Sequence, residues 1–487
     1  MVFVDWPALL LLALHAGLVL GFGLRVMLRD SLSSDTRMAW LAVLFILPYL
    51  GAALYFLLGE AHINRNARRQ HQAARDHIAE QVPAADLPRL MGTPEAAAQL
   101  IAPHYLGAFR YAASINGFEP MAGNQAELMA DGEAARDRMV ADIDAATEHV
   151  AVLYYIWLAD TTGVRMADAL MRAARRGVAC HVMVDGLGSR AWLQTPQWRA
   201  LRAAGVQTAV ALPLTHPLKV MLTSRIDLRN HRKITVIDHR IAWCGSQNCA
   251  DEAFQIKARF APWVDIMLRL QGPVVTQTAL LFASDWLPVT GQRLPPPTPA
   301  PALPGGFAAL VFGDGPTERP RATPQLIATL IAAARERLTL STPYFVPDAT
   351  VLEALCAAAW RGVRVTLIFP ARNDSWIVAA ASRATYGQLL KAGVAIHEYR
   401  PGLLHAKTLT VDGEVALIGS TNIDLRSFDL NYENNVLLQD AATATAIEAR
   451  QQAYLAASDG VTLATVQAWP WWRRIWHNGM ATLGPVL

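Results

Sequence analysis

The sequence predicts an α/β protein in which two pseudo-symmetric strand-and-helix repeats pack as one catalytic body, preceded by an α-helical transmembrane hairpin. Three observations predict it. One order of strands and helices occurs twice, a proline-dense segment separates the copies, and two uncharged apolar runs open the chain.

The opening runs are residues 6–24 and 38–58, the second with Pro48 and Gly51 inside it. Each is about 20 residues, the length that crosses a bilayer core of roughly 30 Å. Trp6, Trp40 and Tyr55 stand near the run ends, where amphipathic rings suit a lipid interface. A cleaved signal peptide fits poorly, because Asp5 precedes the first run with no Lys or Arg and a second run follows at once. Residues 1–60 are therefore expected to be two membrane-crossing helices. Arg25, Arg29 and Arg37 lie between the runs and Arg65, Arg68, Arg69 and Arg75 after them, so the charge asymmetry only slightly favours a cytoplasmic body.

A polar connector rich in Ala and Arg is expected over 61–120. The first repeat, 121–290, holds a helical stretch at 132–149, an apolar strand at 150–157, a helix ending Arg175-Arg176-Gly177-Val178, a strand at 181–185 and a further helix carrying Ala203-Ala204-Gly205-Val206. The second, 307–458, repeats the order: a helix at 326–336, a strand at 338–345, a helix ending Trp360-Arg361-Gly362-Val363, a strand at 365–369, then Lys391-Ala392-Gly393-Val394. Glycine ends each helix and a β-branched residue starts the next strand. Alternating strands and helices predict a mainly parallel sheet covered by helices. Between the repeats, 291–306 is too rich in proline for a core strand and reads as a stiff linker. The tail, 459–487, carries Trp469-Pro470-Trp471-Trp472-Arg473-Arg474-Ile475-Trp476, which suits either a lipid headgroup layer or docking onto the body.

At 487 residues the chain exceeds one ordinary core. Its formal charge of +3 provides no basic field for nucleic acid. Cys180, Cys244, Cys249 and Cys356 lack metal-type spacing and read as buried free thiols.

Each repeat delivers one copy of a chemical pattern. The first is His231-Arg232-Lys233 with Asp238, followed by Gly245-Ser246-Gln247-Asn248; the second is His405-Ala406-Lys407 with Asp412, followed by Gly419-Ser420-Thr421-Asn422. On a strand, His and Lys two apart point to one face, so both address the same phosphate. A duplicated imidazole–lysine pair with matching trailing Ser and Asn belongs to a site, not to a structural accident. No Asp/His cluster with metal spacing accompanies it, so neither metal nor cofactor is expected.

The pattern resembles the HKD motif of the phospholipase D superfamily, and the chain is similar to bacterial cardiolipin synthases over nearly its whole length. The run 39–51, the exit Gly59-Glu60, the strand ends Tyr155-Ile156-Trp157 and Thr342-Pro343-Tyr344-Phe345-Val346-Pro347, and the loop Asn373-Asp374-Ser375 carry that likeness. The resemblance implies a metal-independent phosphatidyltransferase in a bacterial inner membrane, multi-pass, joining two phosphatidylglycerols into cardiolipin with release of glycerol. It implies His231 as nucleophile and His405 as acid/base, with Lys233, Lys407, Asn248, Asn422, Ser246 and Ser420 around the phosphate. Asp265 and Glu433, about 30 residues after His231 and His405, stand where superfamily members orient the imidazoles. Asp238 and Asp412, members of the motifs, are expected to fix the strand turn rather than move protons. The basic stretch Lys219, Arg225, Arg229 and Arg232 either meets lipid phosphates or is a solvated face, and Arg383 is a weaker phosphate candidate. The alternatives on this scaffold are a hydrolysing phospholipase D or a synthase with another donor such as phosphatidylethanolamine; a tethered nuclease and a non-catalytic scaffold fit less well.

Overall fold

The computed structural model describes residues 6–29, 32, 34–59, 69, 73, 86–213 and 227–482. Lys219 and Arg225 lie outside them, as do Arg65, Arg68 and Arg75.

The N-terminal helices form one compact unit: α1 (Trp6–Met27), α2 (Ser34–Ile46), α3 (Pro48–Leu54) and a π-helical turn at Tyr55–Gly59. Val26, Trp40, Leu44, Ala52 and Tyr55 make its small core, with the Trp40 and Tyr55 rings edge to face at 5.1 Å. The second apolar run is not one helix. Pro48 has no N–H to donate and its ring crowds the carbonyl four residues back. α2 therefore stops after 13 residues, and α3 restarts on Pro48 and lasts seven. Among the described residues no helix, the 22-residue α1 included, is long and apolar enough to cross a membrane. The expected transmembrane hairpin, and the multi-pass placement in an inner membrane that rested on it, are overturned.

The elements from Leu87 onward form the second unit. Its first repeat contributes β1 (Met121–Leu128), β2 (His149–Tyr154), β3 (Ala179–Asp185), β4 (Gln207–Ala211), β5 (Arg229–Asn230), β6 (Lys233–Ile237), β7 (Ile241–Gly245), β8 (Trp263–Val264) and β9 (Met267–Gln271). The second contributes β10 (Phe307–Asp314), β11 (Arg337–Ser341), β12 (Phe345–Val346), β13 (Arg364–Pro370), β14 (Ala395–Tyr399), β15 (Leu403–Leu404), β16 (Thr408–Val411), β17 (Val415–Gly419), β18 (Ile423–Asp424), β19 (Asn431–Gln439) and β20 (Ser458–Val461). One sheet runs β20-β14-β13-β11-β16-β17-β19-β10-β1-β9-β7-β6-β2-β3-β4. Read outward from the β10–β1 junction, the two halves have the same order, which is the pseudo-symmetry the repeats require.

The sheet is mixed rather than mainly parallel. Along this order, among the described residues, only β2-β3-β4 and β11-β13-β14 run parallel. The motif strands β6 and β16 instead turn straight back into β7 and β17 as antiparallel hairpins. Those turns use left-handed backbone at Asp238 and His239 (φ 52° and 53°) and at Asp412 and Gly413 (φ 55° and 71°), the geometry a tight hairpin needs. β6, β7, β16 and β17 are almost continuously apolar because helices cover both sheet faces.

The helices repeat as faithfully. Thr161–Arg175 and Ala349–Trp360 each start on an Asp cap, Asp160 and Asp348, and end at a glycine with φ 91°, Gly177 and Gly362. The adjoining Arg176 and Arg361 donate to carbonyls that end the preceding helix of their own repeat, Ile143 and Ala146 in one and Ile331 and Ala334 in the other. Within the stretch read as a polar connector, helix Pro103–Asn116 buries Tyr105, Phe109 and Ala112 in the second repeat's core. Residues 291–303 carry no helix or strand, and the Leu303 N–H ties them to the Gly123 carbonyl at 2.9 Å. All four cysteines are free and buried.

Candidate active site

The two motifs meet because their approach strands change partners. β5 pairs in parallel with the start of β19, Arg229 opposite Asn431 and Asn230 opposite Tyr432. β15 pairs likewise with β8, Leu403 opposite Trp263 and Leu404 opposite Val264. The His231 N–H then donates to Tyr432 O at 2.9 Å, and the His405 N–H to Val264 O at 2.8 Å. Each histidine is thus seated by backbone of the opposite repeat.

Its carboxylate comes from the opposite repeat too. Nδ1 of His231 lies 2.8 Å and 3.0 Å from the two oxygens of Glu433, and Nδ1 of His405 lies 2.6 Å from Asp265 Oδ1. Both acids were expected at the imidazoles; sequence distance suggested the histidine of their own repeat, and the folded chain exchanges them. The serines stay at home. Ser246 Oγ donates to Asp265 at 2.6 Å, Ser420 Oγ donates to Glu433, and each also accepts a backbone N–H, from Ile266 and Asn434. The preceding glycines are required by space: a Cβ on Gly245 would stand 2.2 Å from Ile266 O, and one on Gly419 2.3 Å from Asn434 O.

Lys233 and Lys407 each donate to the carbonyl of their own histidine at 2.7 Å. Both ammonium groups are buried, and burial lowers them from 10.5 to about 8 and about 7. Burial also presses His231 and His405 to about 4, outweighing the carboxylates that pull them up. The field crosses the repeats: Lys407 acts on His231 and Lys233 on His405. Glu433 and Asp265, although buried, are held below the usual carboxylate range, chiefly by the imidazoles they face. At neutral pH each imidazole is therefore neutral, with Nδ1–H donated to a carboxylate and the Nε2 lone pair directed away from it. Tyr155 meets the His231 ring edge-on at 4.9 Å, and Trp263 lies 4.7 Å from the His405 ring.

The other expected residues divide. Asn422 is buried: its Nδ2 donates to Ser427 Oγ at 3.1 Å, while its Oδ1 has no partner. Asn248 Oδ1 accepts the Ile156 N–H at 3.3 Å. Asp238 and Asp412 stand at the far ends of β6 and β16, about 20 Å from their histidines along the strand. Asp238 accepts the N–H groups of Thr147, Glu148 and His149, and Asp412 those of Arg335, Glu336 and Arg337, all within 2.9 Å. Both acids pin the turn before β2 or β11 and touch neither imidazole. Arg383 is ion-paired with Glu398 at 3.0 Å, away from the motifs.

Sequence reasoning missed Asp285. Its Oδ1 accepts from Arg232 at 2.5 Å and its Oδ2 from Asn230 at 3.1 Å, so one buried carboxylate grips both neighbours of His231. Arg232 further donates to the carbonyls of Glu433 and Asp314. The signal was available: Asp285 is the sole charge in the 17-residue apolar helix Val274–Thr290. Asn434 was also missed; its Oδ1 accepts the Lys233 N–H at 2.8 Å. Among the described residues no three His, Cys, Asp or Glu side chains are grouped to hold a metal ion.

Comparison with known proteins follows this geometry. The family described as cardiolipin synthase, PLD-like domain matches residues 139–286 and 327–454, and one described as phospholipase D-nuclease N-terminal matches 18–60. The chain is 34% identical over 480 residues to cardiolipin synthase A of Serratia proteamaculans (strain 568), covering 96% of each. It is equally similar, over 479 residues, to cardiolipin synthase A of Salmonella paratyphi B. Among solved structures, phosphatidylserine synthase of Haemophilus influenzae shares the fold at 14% identity, with TM-score 0.60 over 78% of this chain and 99% of that one.

Proposed function

The chain belongs to the cardiolipin synthase family of phospholipase D-like enzymes, and from that premise we propose that it transfers a phosphatidyl group between two phosphatidylglycerols. It is an enzyme acting on phospholipid; the finer reading concerns donor, acceptor and intermediate. The observation that supports it best is the exchanged pair of carboxylate–imidazole contacts around two buried lysines.

In this reading Nε2 of His231 attacks phosphorus, the bond to the departing glycerol oxygen breaks, and His405 delivers a proton to that oxygen. An anionic phosphodiester between the imidazoles raises their proton affinity, and Asp265 stabilises the His405 imidazolium. The result is a phosphohistidine and free glycerol. The headgroup hydroxyl of the second phosphatidylglycerol then gives its proton to His405, attacks phosphorus and releases His231, forming cardiolipin. Lys233 and Lys407 neutralise the non-bridging oxygens as charge builds on them, the part that a metal plays elsewhere.

The test supplies purified protein and labelled phosphatidylglycerol with chelator and identifies products by mass. Cardiolipin and glycerol in equal amounts are expected. Phosphatidic acid as the main product would make the chain a hydrolase, and a strict need for phosphatidylethanolamine would change the donor.

A further inference from the structure

Away from the HKD residues, the C-terminal helix Trp471–Thr482 packs against helix Trp376–Ala392 and closes one wall of a cavity of about 450 Å³. Trp476 stacks on Trp376, centroids 5.4 Å apart and planes 17° off parallel. Arg259, Arg372 and Arg383 line the same space, together with His477.

His477 forms a buried part of the wall, its ring edge-on to Trp469 at 4.9 Å. Burial, then the nearby Arg473 and Arg383 charges, keep the ring neutral, with its pKa lowered to about 4, so the cations of the cavity are its arginines.

The charge balance names the acceptor. Arg383 is paired with Glu398 at 3.0 Å, and Asp374 beside the cavity is already engaged by Lys257 at 2.5 Å and by the Tyr344 hydroxyl at 2.7 Å. Among the described residues no carboxylate pairs with Arg259 or Arg372. Two guanidinium forks with no acidic partner line the cavity together with the stacked Trp376 and Trp476. Forked N–H donors fit the oxygens of a phosphate, and the indoles give contact area to a carbon skeleton attached to it.

We propose that this cavity is a second phosphate site, separate from the HKD centre, that binds a phosphate carried on a glycerol-like skeleton. The source is either a phospholipid headgroup or a free phosphate ester, which share this chemistry. None of the HKD residues lines the cavity, so the assignment stands or falls apart from the transfer reaction.

The experiment titrates full-length His231→Ala protein, which removes turnover, and follows tryptophan fluorescence at matched ionic strength. The probes are sn-glycerol 3-phosphate, inorganic phosphate and vesicles with or without phosphatidylglycerol. A saturable change with at least one phosphate probe is expected, weakened roughly tenfold by Arg372→Gln and by Arg259→Gln, each an exposed residue. Loss of the signal in Trp376→Phe locates it. A response to phosphatidylglycerol vesicles alone assigns a lipid headgroup; a response to the soluble esters assigns a free phosphate. No saturable response to any probe, or one that both arginine variants leave unchanged, overturns the proposal.

Discussion

Glu433, in the second repeat, lies 2.8 Å from Nδ1 of His231, in the first, and Asp265 returns the arrangement at 2.6 Å from His405. Neither repeat completes an imidazole–carboxylate pair by itself. The serines add a link, Ser246 to Asp265 and Ser420 to Glu433, so each relay starts in one repeat and ends on the other's imidazole.

The first prediction follows from that exchange. Glu433→Gln keeps the shape but removes the charge that steadies the His231 ring, and formation of the phosphoenzyme should slow by roughly 10³-fold. Asp265→Asn should act on His405 instead. It should impair glycerol phosphodiesters strongly and a nitrophenyl phosphodiester far less, because nitrophenolate leaves without a proton. Rapid-quench measurement of the His231 adduct reads both. A Glu433→Gln defect that vanishes with the good leaving group would reverse the assignment.

The pH profile carries the second. In the substrate complex, where the phosphodiester keeps His405 protonated, Lys407 and Lys233, lowered to about 7 and about 8, should make kcat fall on the alkaline side from near pH 7 upward as the positive field is lost. With His231, the nucleophile that must be unprotonated, pressed to about 4, the acid limb should lie well below the ordinary imidazole value. The stability signs are separate. Both histidines take up protons in the unfolded chain before the folded one, so they reduce stability as pH falls from 6.5 toward about 4. The lysines lose their protons first in the folded chain, so their unfavourable contribution fades as pH rises from about 7 to 10.5. An alkaline limb near 10 would contradict the lowered lysines.

Much of this was legible in the chain. The repeat order, the HxK pairs and the trailing Ser and Asn are local patterns, and local patterns survive folding. The exchange was not, because Asp265 and Glu433 follow their own histidines by similar distances and nothing in spacing records that β5 and β15 cross between repeats. The parallel sheet is overstated in the sequence reading because each motif strand turns straight back through a tight hairpin, which makes β6-β7-β9 and β16-β17-β19 antiparallel. Pro48 stands inside the second apolar run, and length and hydropathy, which predict a single span there, ignore a missing N–H. The result is two short helices.

Asp238 and Asp412 give the third prediction. Each accepts three backbone N–H groups and lies far from the imidazoles. Asp238→Ala or Asp412→Ala should exchange those charge-assisted bonds for water at exposed or half-buried amides and cost about 1–2 kcal/mol of stability. The folded fraction should keep kcat within a few-fold. Denaturant melts combined with active-site titration separate the two effects, and a loss of kcat with unchanged stability would make these aspartates catalytic.

The fourth concerns the buried pair Arg232–Asp285, at 2.5 Å. Asp285 fixes Asn230 and Arg232 on either side of His231, and Arg232 binds the carbonyl of Glu433, so the pair sets both members of one imidazole–carboxylate contact. Asp285→Asn leaves a guanidinium buried without its counter-charge and should cost about 3–5 kcal/mol. Replacing both partners with apolar residues, Arg232→Met with Asp285→Leu, removes the stranded charge and should restore most of that stability. It should not restore activity, because the Asn230 Nδ2 and the Glu433 carbonyl then lose the side-chain partners Asp285 and Arg232, and a shift of about 1 Å at a nucleophile is expensive. Thermal melts of the single and double variants, set beside the rate of His231 phosphorylation, distinguish the roles. If the double variant regains rate along with stability, Asp285 serves the fold alone. If it regains stability while phosphorylation stays slow, Asp285 positions the nucleophile.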